Sequence, residues 1–127
     1  MTLNDFHQML MNAVPAEATI PNPGGGMTTI VSTQNGRVRY RRGRSVMNLK
    51  IDDMHAAYTT FNGRLMSSKD LKATWPATYD SAARPAGHSC NVTMLFCALK
   101  AMGLVQSIQG KGVAGNPFFV DLSTSTT

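Results

Sequence analysis

Acidic residues are scarce: seven Asp and Glu stand against twelve Lys and Arg in 127 residues, for a formal net charge of +5. A metal-dependent nuclease needs clustered carboxylates to hold its ions. Here Asp70, Asp80 and Asp121 are dispersed, and the pair Asp52-Asp53 suits a helix start. Cysteine is equally scarce. On a helix Cys90 and Cys97 would stand about 10 Å apart, too far for a disulfide. With His88 they offer three metal ligands, one short of a structural zinc site, so no metal and no cofactor are expected. A nucleophilic Cys90 beside His88 lacks a third orienting group. No catalytic residue is therefore assigned, and the chain is not expected to be an enzyme. No apolar run approaches the roughly 20 residues that span a bilayer. The first residues lack a basic stretch followed by an apolar core. The expectations are no membrane association and a cytoplasmic location.

What is present is a concentrated basic stripe. Arg37, Arg39, Arg41, Arg42, Arg44 and Lys50 place six of the twelve basic residues within fourteen positions, and no acid lies between Glu17 and Asp52. Such a stripe is the electrostatic footprint of a polyanion binder. The bland alternative is a strand edge blunted by charge, but that device uses few residues and favours Lys. Phosphate contact by Arg37, Arg39, Arg41, Arg42 and Arg44, assisted by Lys111, is the expectation. The partner is taken to be nucleic acid, with double-stranded DNA favoured, and the role to be regulatory.

Along the chain, Thr2 to Asn12 reads as a short amphipathic helix, with Leu3, Phe6 and Leu10 on one face and Thr2 with Asp5 at its start. Pro15 to Gly26 holds three Pro and three consecutive Gly and reads as a linker or strap. Residues 1–26 are thus an N-terminal helix and linker, 27–122 a single α+β domain, and 123–127 a disordered tail. Thr28 to Ser32 is a β-branched run. Asn35-Gly36 after it is a strong two-residue hairpin signal. Arg37-Val38-Arg39-Tyr40-Arg41 alternates strictly, which puts the three Arg on one face of a strand and Val38 and Tyr40 on the other. Ser45 to Ile51 extends the sheet, with Val46, Leu49 and Ile51 as its apolar anchors.

Asp52 or Asp53 caps a helix that Gly63 ends, and Leu65-Met66 is a short extended stretch. Ser67 or Ser68 caps a second helix, Lys69 to Trp75, stopped by Pro76. A loop through Pro85-Ala86-Gly87 follows. A third helix runs from Val92 to Met102, with a core stripe of Val92, Leu95, Phe96, Leu99 and Met102 and with Gly103 at its end. Val105 to Ile108 and Phe118 to Leu122 read as strands around a basic-tipped Gly-rich loop. Gly110 to Gly115 matches G-x-G-x-x-G, but Asn116-Pro117 and a strand follow rather than a helix, so it is no dinucleotide fingerprint.

The segment Leu99-Lys100-Ala101-Met102-Gly103-Leu104-Val105 and the loop-flanked strands after it resemble the winged helix-turn-helix superfamily. The likeness covers residues 52–122, about 70 of 127. It implies a winged-helix-like α+β domain, here with an added N-terminal basic β-hairpin. It also implies a third helix directed at a DNA groove and a wing that brings Lys111 to the backbone. The outward side of that helix, however, carries Thr93, Met94, Cys97, Ala98 and Ala101 rather than the Arg, Asn or Gln that read base edges. The DNA contact is therefore assigned to the Arg-rich hairpin. Met94, Cys97, Ala98 and Ala101 become a candidate interface for a homodimer, or for a protein partner if the chain is instead an inhibitor or adaptor. The competing cover for this face is the chain's own N-terminal helix, strapped down by Pro15 to Gly26.

Overall fold

The computed structural model describes residues 1–83 and 87–123. The expected tail after Ser123, and Pro85 and Ala86 of the expected loop, lie outside the described residues. The architecture is α+β: a four-stranded antiparallel sheet packed on a set of helices, plus a small two-stranded sheet. Helix α1 spans Leu3–Ala13 and starts as its sequence predicts: Asp5 N donates to Thr2 Oγ1 at 3.1 Å. Phe6, Leu10 and Val14, spaced by four, are fully buried, while Leu3 lies outside the core. The Phe6 ring meets His55 and Tyr58 edge-on or tilted, at 5.5 and 5.9 Å. The N-terminal helix is thus part of the chain's own core, not a detached element.

Pro15 to Gly26 is also more ordered than its composition predicts. Thr19–Pro21 forms strand β1, paired antiparallel to β2, Met27–Ser32. Between them the chain reverses tightly. Asn22 N donates to Gly26 O at 3.0 Å, and the buried Asn22 side chain accepts from Thr28 Oγ1 at 2.7 Å. Gly25 and Gly26 take the positive φ this reversal needs, which is why a run of Gly makes a turn here rather than a linker. Asn35 and Gly36 both have positive φ, and Arg37 N donates to Gln34 O at 3.2 Å, closing a type I′ turn into β3, Arg37–Arg42. Gly43 and Arg44 turn the chain into β4, Ser45–Lys50. On β4 the core-facing residues are Met47 and Leu49. Val46 lies outside at 41% exposure, and Ile51 already belongs to the next helix.

Helix α2, Ile51–Phe61, starts without a side-chain cap: Lys50 occupies that position, and Asp52 and Asp53 sit inside the first turn. There they still favour the positive end of the helix dipole. Strand β5, Leu65–Ser67, leads into α3, Ser68–Thr74, through a reciprocal capping box between Ser67 and Asp70. Pro76 ends α3 and opens the short α4, Pro76–Tyr79. Trp75 sits at this joint, edge-on to Phe61 and Tyr79 at 6.2 and 6.4 Å. Helix α5, Cys90–Ala101, is buried on nearly every side, as an apolar helix must be. It closes in a Schellman turn: Gly103 N donates to Lys100 O and Leu104 N to Leu99 O, both at 3.0 Å.

The expected strand at Val105 to Ile108 does not form. The chain bends through residues 104–106, turning Leu104 and Val105 into the core instead of extending. Only Gln109 bridges Phe119. Strand β6, Phe119–Asp121, pairs instead with β5, where Met66 and Val120 face each other fully buried.

Candidate nucleic-acid interface

Strand β3 is central in its sheet, and its alternation is realised. Val38 and Tyr40 are fully buried, and Arg37, Arg39 and Arg41 stand exposed on the outer face. Residues directly opposite in antiparallel strands share a face. Lys50 lies opposite Arg37, Asn48 opposite Arg39, Val46 opposite Arg41, and on the other side Ser32 pairs with Arg39 and Thr29 with Arg41. The result is a plane with four cations in adjacent rows. Because no acid occurs between Glu17 and Asp52, none of the four strands contributes a carboxylate to it. Arg44 is exposed in the β3–β4 turn at the end of the plane.

The plane is anchored from below. Tyr40 donates its hydroxyl proton to Asn91 Oδ1 at 2.6 Å, linking β3 to α5, and Asn91 Nδ2 donates to Thr78 O at 2.9 Å. Thr78 Oγ1 in turn donates to Asp53 Oδ2 at 3.0 Å. Burial, with Cys90 adding to it, pushes the Tyr40 phenol well above its ordinary range, so it remains a donor. This network was not legible in the sequence: it joins residues 51 positions apart.

No family model, curated protein or solved structure matches the chain.

Arg42 departs from the stripe. As the next residue after Arg41 it turns to the inner side of the sheet, where its Nη1 donates to Cys90 Sγ at 3.2 Å. There it lines a cleft of about 500 Å³ with Lys69 and Lys72 of α3 and with Gly112 to Gly115. Lys111 lies in the loop that walls this cleft. The six expected phosphate-contacting residues are therefore not one surface: Arg37, Arg39 and Arg41 share the outer plane, Arg44 borders it, and Arg42 and Lys111 belong to the opposite side. Lys69 and Lys72 went unnoticed because nothing local in the sequence ties them to Arg42. Lys50, by contrast, follows directly from the register.

The interface expected on the third helix is covered. Met94, Cys97 and Ala98 are buried within the chain, and only Ala101 of the four is exposed. Cys97 Sγ faces Pro21 O at 3.9 Å, so the cover at this point comes from the Pro/Gly segment itself rather than from the N-terminal helix it was expected to strap down. Burial pushes the Cys97 thiol up from its ordinary value. Cys90 is half-buried, and its backbone N–H donates to His88 Nδ1 at 3.2 Å, which ties that ring nitrogen to the backbone rather than to the thiol. Among the described residues no three or more His, Cys, Asp or Glu side chains stand together as a metal site, and no helix is long and apolar enough to cross a membrane.

Proposed function

We propose that this chain is a non-enzymatic DNA-binding protein that grips the phosphate backbone with the outer face of its four-stranded sheet. The observation that carries the reading is the display of Arg37, Arg39, Arg41 and Lys50 on one exposed plane whose strands hold no carboxylate. Cations in such an array gain from neutralising phosphates and releasing their counterions. An Arg adds a planar fork that meets a phosphate through two hydrogen bonds. The winged-helix-like reading of residues 52–122 belongs to the same proposal. It is supported by the order α2, β5, α3, α4, α5, β6, in which β6 returns to pair with β5. In this protein the third helix serves as the core on which the basic sheet rests, and the sheet makes the contact.

Fluorescence anisotropy with a labelled DNA duplex tests the proposal. Arg39→Ala with Arg41→Ala is expected to weaken binding at least tenfold and to leave the thermal midpoint nearly unchanged, because both side chains are exposed on the face of the sheet turned away from the core. Unchanged affinity would make the stripe a solubility device.

A further inference from the structure

The outer plane carries more than charge. At the β2–β3 hairpin end its surface dips into a concavity of about 410 Å³ lined by Ser32, Gln34, Asn35, Arg37, Arg39 and Asn48. All six are hydrogen-bonding side chains; none is apolar and none is a carboxylate. Arg serves phosphate anchoring, but the uncharged amides of Gln34, Asn35 and Asn48 neutralise no phosphate. Arg and the amides Asn and Gln are, in addition, the side chains that make paired hydrogen bonds to the major-groove edges of guanine and adenine. The register sets them at a usable scale. Arg39 and Asn48 form one row across the paired strands β3 and β4, about 5 Å apart, and a major groove of about 12 Å admits a two-stranded ribbon. Along β3, Arg37 and Arg39 are about 6.8 Å apart, close to two base-pair steps.

Accepting the DNA-binding reading, on which this step rests, we infer that the outer sheet face docks in the major groove of double-stranded DNA and reads base edges. Arg39 and Asn48 do the reading, while Arg41 and Lys50, on either side of that row, hold the backbone. The chemistry of the plane favours this partner over other nucleic acids. Met27, Thr29, Ser32, Arg37, Arg39, Arg41, Val46, Asn48 and Lys50 face outward, and none is aromatic, so the plane offers no platform on which single-stranded bases could stack. Double-stranded RNA has a major groove too deep and narrow for side chains to read.

The test is selection of bound duplexes from a randomised pool by the full chain, followed by competition between the selected and a scrambled duplex. The wild-type chain is expected to prefer the selected duplex at least tenfold. Arg39→Lys keeps the charge but loses the fork, and Asn48→Ala removes the amide. Each is expected to cut that preference about tenfold, and Asn48→Ala, which removes no charge, is expected to leave affinity for the scrambled duplex and the salt dependence unchanged. Equal binding of all duplexes, an undiminished preference in both variants, or tighter binding of single strands or duplex RNA would overturn the inference. The first two of these results would leave backbone binding standing. Absence of binding to any duplex would instead overturn the proposed function itself.

Discussion

Tyr40 is where the basic plane meets the core. Its ring is fully buried beneath Arg39 and Arg41, and its hydroxyl satisfies Asn91 Oδ1, itself buried. Tyr40→Phe keeps the ring but strands the Asn91 acceptor in a dry environment. The expected loss is about 1–3 kcal/mol of stability, read as a lower urea midpoint, with the exposed Arg side chains undisturbed. A loss under about 0.5 kcal/mol would mean that the hydrogen bond does not hold β3 to α5. The two thiols differ at the same scale. Cys97 is 4% exposed with its thiol pushed up by burial, whereas Cys90 opens onto the cleft beside Arg42. Iodoacetamide under native conditions should modify Cys90 first and reach Cys97 only as the chain unfolds. Equal rates for both would contradict the packing of α5 against Pro21.

At the scale of elements, α5 is the hub. It carries Tyr40's acceptor, its N-terminal end borders the basic cleft, and Val92, Leu95, Phe96 and Leu99 are in the core. Leu99→Ala is expected to cost about 2–5 kcal/mol, because a fully buried Leu leaves both a transfer loss and a cavity. A loss under about 1 kcal/mol by thermal or urea unfolding would contradict this packing. Elements governed by local chemistry were legible in the sequence. The Asn35-Gly36 turn, the alternation of β3, the Ser67 cap and the Gly103 end of α5 each depend on a few neighbouring residues. Elements governed by distant partners were not. β1 exists because Thr28 and Ile30 lie across from it, and β5 and β6, each read as extended, gave no sign that they pair with one another across more than fifty residues. The same division runs through the candidate site. The outer Arg were legible from period-two alternation, whereas the separation of Arg42 and Lys111 from them required the fold of α5 and of the loop after it.

For the molecule as a whole, the charge is divided between two surfaces on opposite sides of one sheet. The outer plane is exposed, hollowed at its β2–β3 end and without carboxylates in its strands. The inner cleft is walled by α3, α5 and the Gly-rich loop, with Arg42, Lys69 and Lys72 on its lining. The apolar face that sequence alone offered to a second subunit is instead occupied by the chain's own fold, so the case for a homodimer through Met94, Cys97 and Ala98 loses its premise. The central claim is therefore about one chain's plane of cations against a polyanion. Its most direct measurement is a duplex-binding salt titration. On a duplex of arbitrary sequence, where all four cations of the plane meet phosphates, log K is predicted to fall with log salt at a slope of about −4, reduced to about −2 in Arg39→Ala/Arg41→Ala. A slope near zero, or one left unchanged by that pair of substitutions, would contradict the account.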